Sequence, residues 1–147
     1  MIKSQKTLFI ETSPQEVWNF LTDFPSYPTW VTDVVEVKVA SLPIGRGTHL
    51  NIVRQYGNRR VDGLEEITEW EPLKRLRLQT PSGSFRADAV YQLEQEQGGT
   101  QVQYFVQIAG RGFGKILEWF IGGNFQKLVD SEFGRMKTLL ETSHAPR

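Results

Sequence analysis

Arg54 is the residue with most chemistry to account for, because Leu50 and Ile52 share its side of a strand. A guanidinium among aliphatic side chains needs a partner, water or an anionic ligand to offset the cost of leaving bulk solvent. A ligand carboxylate or enolate would satisfy it, and so would solvent reached from the strand end near Tyr56. Tyr91 and Tyr104 place hydroxyls on an otherwise apolar wall. Such groups orient a ligand carbonyl, or else bond to backbone or water.

Other chemistries find little support. The chain has no Cys, which removes disulfides, a thiol nucleophile and thiolate metal ligands. His49 and His144 are its two histidines and form no cluster, so neither a metal nor another cofactor is expected. His49 alternates out of phase with Leu50 and Ile52 and reads as solvent-facing. Gly110-Arg111-Gly112-Phe113-Gly114-Lys115 invites a phosphate-loop reading, but Ala109 stands where that motif needs glycine and Ile116 where it needs Ser or Thr. A hinge or cavity rim bordered by Phe113 accounts for the stretch better. Asp88 falls on an outer face and the register of Glu65, Glu66 and Glu69 is ambiguous, so no acid/base pair emerges. Trp18 and Trp30 read as core plugs.

The elements that position these groups follow from periodicity. Residues 6–12 form a first strand with Leu8 and Ile10 on one side. Ser13-Pro14-Gln15-Glu16 opens a helix with a capping hydroxyl, a first-turn proline and a glutamate three residues after the cap. Pro25 ends it, and a second short helix is expected over residues 26–30. Val35, Val37 and Val39 then alternate with Glu36, Lys38 and Ala40 as a half-buried strand requires. Five further strands are expected near 46–55, 60–71, 74–80, 84–95 and 100–109, separated by turn residues such as Gly57-Asn58, Pro81-Ser82-Gly83 and Gly98-Gly99. Connections this short imply an antiparallel meander. From Lys115 onward, Ile116, Phe120, Ile121, Phe125, Leu128, Val129, Phe133, Met136, Leu139 and Leu140 recur at helical spacing. Gly122-Gly123-Asn124 is expected to kink or break that helix.

The pattern is therefore α+β, with a curved seven-stranded antiparallel sheet wrapped around a long C-terminal helix and two short helices between strands one and two. About 26 residues at 1.5 Å each give that helix roughly 39 Å, enough to lie across the sheet. The face turned toward it carries Leu50, Ile52 and Arg54; Leu76 and Leu78; Phe85, Ala87, Ala89 and Tyr91; and Tyr104, Val106 and Ile108. Ala87 and Ala89 leave space between larger neighbours, as a cavity wall needs, unless Phe120, Phe125 and Leu128 fill it.

Thr12-Ser13-Pro14-Gln15-Glu16-Val17-Trp18 and Asp23-Phe24-Pro25-Ser26-Tyr27-Pro28-Thr29-Trp30 resemble the opening of the polyketide cyclase/dehydrase branch of the START-like, or Bet v 1-like, superfamily. The likeness continues through Gly47-Thr48, Ile67-Thr68-Glu69-Trp70-Glu71-Pro72, Tyr91-Gln92-Leu93, Gly98-Gly99-Thr100 and Leu139-Leu140-Glu141. It implies one domain over residues 1–147 with the helix-grip fold, and an internal cavity for lipids, polyketides or other apolar molecules. Only some members of that family are catalytic.

With Lys plus Arg and Asp plus Glu both at 17 among 147 residues, no net charge attracts nucleic acid. No apolar run reaches a signal peptide or membrane span, and the chain reads as cytoplasmic. The expected partner is an apolar small molecule held by Leu50, Ile52, Arg54, Leu78, Phe85, Ala87, Ala89, Tyr91, Tyr104, Val106, Phe120, Phe125 and Leu128. Two further readings are a cyclase or dehydratase acting on a poly-β-ketone, and an adaptor presenting Phe113, Trp119 and Phe120 to a protein. Oligomeric state leaves no trace in the sequence.

Overall fold

The computed structural model describes residues 1–83, 85–110 and 124–143, with the side chains of Phe85 and Ser143 outside that description. Strand β1 (Ile2–Ile10) leads into α1 (Pro14–Thr22), and a 3-10 helix over Phe24–Thr29 follows. Six strands come next: β2 (Val34–Val39), β3 (His49–Tyr56), β4 (Arg59–Glu71), β5 (Arg75–Gln79), β6 (Phe85–Glu96) and β7 (Gly99–Gly110). Helix α2 (Phe125–Ser143) ends the described chain. All strand pairs are antiparallel. The order β1-β7-β6-β5-β4-β3-β2 puts β1 and β2 at the two edges.

Local sequence explains the starts and stops. Ser13 Oγ accepts the Glu16 N–H at 3.3 Å and Pro14 occupies the first turn of α1, satisfying one of the amides a helix start leaves unpaired. Strand β1 begins earlier than the β-formers of residues 6–12 suggest. Its polar start, Lys3, Ser4 and Gln5, is held by pairing with Gln107, Val106 and Phe105 of β7. Residues 45–48 turn instead of extending, because Gly47 sits at φ +91° and Thr48 Oγ1 accepts the Gly45 N–H at 3.0 Å.

One face assignment is corrected. Val35 does not share the buried face with Val37; it is exposed, and Val34 is buried in its place. A register shift between Val34 and Glu36 in the β2–β3 pairing offsets the alternation by one residue.

Helix α2 closes the opening between the two sheet edges. On the β1 side, Lys137 Nζ donates to the Phe9 carbonyl at 2.7 Å, Glu141 accepts the Glu11 N–H at 2.9 Å, and Ser4 donates to Gln126. On the side leading into β2, Glu132 accepts the Thr32 N–H at 3.0 Å and Arg135 donates to the Trp30 carbonyl at 3.1 Å. Phe125, Val129, Phe133, Met136 and Leu140 form its buried stripe, whereas Leu139, expected in it, turns one step past the stripe and is exposed. At 19 residues it runs roughly 28 Å. The expected helical start at Lys115 and the Gly122-Gly123 break lie outside the described residues.

Gly99 opens β7 where β1 turns away, and a Cβ there would collide with the Ile10 carbonyl and the Phe9 ring. Gly99→Ala is expected to destabilise by about 1–3 kcal/mol, since backbone cannot yield as a side chain does. A fall in urea midpoint at unchanged slope would report it.

Candidate functional site

Between sheet and helix lies a chamber of about 140 Å³. Its aliphatic wall is the inner face of β3, β5, β6 and β7, contributing Ile52, Leu78, Ala87, Ala89, Val106 and Ile108, with Phe125, Leu128 and Val129 of α2 opposite. The void follows from side-chain size. Gly63, Ala87 and Ala89 line it and cannot reach across to the helix, so facing residues fail to interdigitate.

One end is polar. Arg54 lines the chamber, and its Nη2 lies 4.0 Å from Glu65 Oε1, with 31% of the Arg54 side chain and 14% of the Glu65 side chain exposed. Burial alone would lower the Arg54 pKa, but the neighbouring Tyr56, Glu65, Glu132 and Tyr104 outweigh it and hold the guanidinium charged. Burial raises Glu65 above the ordinary carboxylate value, with Arg54 opposing. Glu132, reaching in from α2, is pushed up to about 7 by burial, against the Thr32 N–H, Arg54 and Arg135, which favour its ionised form.

Tyr27, Tyr91 and Tyr104 add buried hydroxyls at this end, and Tyr56 lines it beside Arg54. Tyr91 and Tyr104 lie with ring centroids 4.8 Å apart. Both rings rest on Phe133, at 6.3 and 4.8 Å. Tyr27 donates its hydroxyl to the Leu21 carbonyl at 3.0 Å. Burial raises all three hydroxyls further above their ordinary value, so they remain protonated donors.

The expected site residues distribute as follows. Ile52, Arg54, Leu78, Ala87, Ala89, Tyr91, Tyr104, Val106, Phe125 and Leu128 line the chamber. Leu50 is fully buried one step along the Ile52 face and contributes packing beside it. The side chain of Phe85, and Phe120, lie outside the described residues, as do Phe113 and Trp119 of the adaptor reading, Arg111 to Lys115 and His144. His49 pairs across strands with Glu66 at 3.0 Å on the outer face. Asp88 also faces outward, held by Arg77 at 2.8 Å. Trp18 packs edge-on against Trp70 and Trp30 against Phe133, both as core.

Arg54 has a counter-charge within the chain, because Glu65 of the adjacent strand lies 4.0 Å away, and 31% of its side chain still reaches solvent. Glu65 itself was hidden by ambiguity. Val61, Gly63 and Glu65 alternate with Asp62, Leu64 and Glu66, and neither set is apolar enough to mark the inner face. Glu132 had a legible signal: it lies three residues after Val129 and seven after Phe125, a charge inside the apolar stripe. Among the described residues no group of His, Cys, Asp and Glu is arranged to hold a metal ion, and no helix is long and apolar enough to cross a membrane.

Residues 1–141 match the family model described as polyketide cyclase / dehydrase and lipid transport. A comparison with curated proteins finds no significant match. Among solved structures, TTHA0849 from Thermus thermophilus superposes with a TM-score of 0.78 at 21% identity, over 97% of this chain and 99% of that one. A STAR-related lipid transfer protein from Xanthomonas axonopodis gives 0.74 at 12% identity, over 94% and 85%. The di-domain ARO/CYC StfQ from the steffimycin biosynthetic pathway gives 0.75 at 8% identity, over 97% of this chain and 51% of that one. At these identities the likeness is one of fold.

Proposed function

Because the chain belongs to the polyketide cyclase/dehydrase and lipid transport family, we propose that it binds an apolar small molecule in the chamber between sheet and α2. The observation that carries this reading is a void left by Gly63, Ala87 and Ala89 inside an aliphatic wall, with polar groups gathered at one end. Apolar burial supplies most of the affinity at about 25 cal/mol per Å² before association costs. Ile52, Leu78, Ala87, Ala89, Val106, Phe125 and Leu128 provide that surface. Tyr91 and Tyr104 orient the ligand's polar atom, beside Arg54 in its pair with Glu65. The volume favours a compact ligand: about 140 Å³ is close to an engineered cavity of roughly 150 Å³ that takes benzene, and below the ~300–1,000 Å³ of drug-sized sites.

The decisive experiment combines native mass spectrometry of gently purified protein with an Ala89→Leu variant. Wild-type protein is expected to retain or take up a small apolar molecule. Ala89→Leu, filling the void between Leu78 and Val106, is expected to lose at least about tenfold in affinity while folding normally. Equal binding by Ala89→Leu would place the ligand elsewhere and defeat the proposal.

A cyclase or dehydratase is a second reading, favoured by the place of Glu132 in the lining: burial pushes its carboxyl up to about 7, where it can both take and give a proton. It ranks second because a poly-β-ketone chain needs more room than the chamber holds.

A further inference from the structure

The charge at the polar end goes one step beyond the apolar-ligand reading, on which it rests. Arg54 already has a counter-charge within the chain, Glu65, at 4.0 Å. Glu132 brings a second chamber-lining carboxylate from α2. Its hydrogen bond comes from the Thr32 N–H at 3.0 Å, and no described cation lies within ion-pair distance of it. Arg135, a cation three residues further along α2, is committed to the Trp30 carbonyl and the Thr32 hydroxyl and does not line the chamber. One guanidinium therefore faces two carboxylates, with Asp33 at the same end.

We propose that the chamber selects an apolar ligand whose head group is a protonated amine over a carboxylate of the same shape. A carboxylate could reach Arg54 only by crowding Glu65, and it would meet Glu132 in a setting of low dielectric. An ammonium would take Glu132 as its partner and leave the Arg54–Glu65 pair intact. Burial favours the protonated form of Glu132, and an arriving ammonium favours the ionised form. Arg54 and Arg135 favour that form too, while Asp33 opposes it. Tyr56, Tyr91 and Tyr104 also face Glu132, but burial keeps their hydroxyls neutral.

Benzylamine, benzyl alcohol and benzoate form a matched set of a size suited to the chamber, and titration calorimetry at pH 8 compares them. Benzylamine is expected to bind about tenfold more tightly than benzyl alcohol, with benzoate weakest. The ratio of amine to alcohol affinity should shrink toward one at pH 6, where Glu132 takes up its proton and the amine remains charged. Glu132→Gln should collapse the same ratio at pH 8, and the wild-type pH series carries the test independently of that variant. Benzoate binding as tightly as benzylamine would overturn the charge preference. Alcohol binding with no amine advantage at pH 8 would overturn the preference alone, whereas no binding by any of the three would overturn the apolar-chamber reading with it.

Discussion

Phe133→Ala is expected to cost about 3–5 kcal/mol of folding stability, a large share of the ~5–15 kcal/mol available to a domain of this kind. The ring is 1% exposed and lies 6.3 Å from Trp30 and 4.8 Å from Tyr104, centroid to centroid. Truncation removes the contact that ties α2 to Trp30, just past the 3-10 helix, on one side and to β6 and β7 on the other. The surroundings cannot close the gap, because Trp30, Tyr91 and Tyr104 are themselves fixed by ring contacts to one another or to Tyr27. Urea unfolding followed by tryptophan fluorescence measures the loss, and a change below about 1 kcal/mol would mean that the helix is held chiefly by its rim hydrogen bonds. Phe133→Leu, which retains most of the volume, should recover much of the difference. Phe133 also backs the tyrosines of the chamber, so the alanine variant should admit larger apolar ligands wherever it remains folded.

Glu132 should make the protein less stable as pH rises from about 4.5 to about 7. In the folded chain its carboxyl is pushed up to about 7, from an ordinary value of 4.5. Below both values the proton is held in either state and the difference has no effect. Between them the unfolded chain releases a proton that the folded chain keeps, which favours unfolding, and above about 7 the deficit is constant. At about 1.4 kcal/mol per pH unit this gap is worth roughly 3 kcal/mol, reduced to about 2 because the side chain retains some solvent. Glu65, raised in the same direction by burial, adds with the same sign. Asp130 and Glu141 are held below the carboxylate range by Lys6 and Lys137. Their contribution is present above that range and lost only as pH falls below it, outside this window. Glu132→Gln keeps an acceptor for the Thr32 N–H and removes the titration. It is therefore expected to be the more stable protein at pH 8 by about 2 kcal/mol and equal to wild type near pH 4.5. Parallel stability curves for the two proteins between pH 4.5 and 8 would refute the assignment. A stabilising change inside the chamber is what a binding site predicts, since a carboxylate kept there against its desolvation cost serves something other than folding.

The sequence by itself determined most of the scaffold, because the forces involved are local. Ser13, Pro14 and Glu16 mark the start of α1 through groups only three residues apart, and α1 starts there. Alternation along β3, β5, β6 and β7 is strong enough to outweigh single apolar residues out of phase, such as Val53, Val90 and Phe105, so Ile52, Leu78, Ala89 and Val106 fall on the inner face as their spacing dictates. The stripe from Phe125 to Leu140 likewise names the buried side of α2.

Tertiary structure decided the polar end. A single register shift between Val34 and Glu36 moved Val35 to the surface, and nothing within β2 announces it. Glu65 faces inward because β4 pairs it with Leu50, a choice its own mixed neighbours leave open. Glu132 is half-buried because Thr32, 100 residues earlier in the chain, offers it an amide hydrogen and the curved sheet brings Arg54 to the same end of the chamber. Hydrophobic periodicity records which side of an element leaves water, but a charge enters the interior only where distant groups converge to meet it.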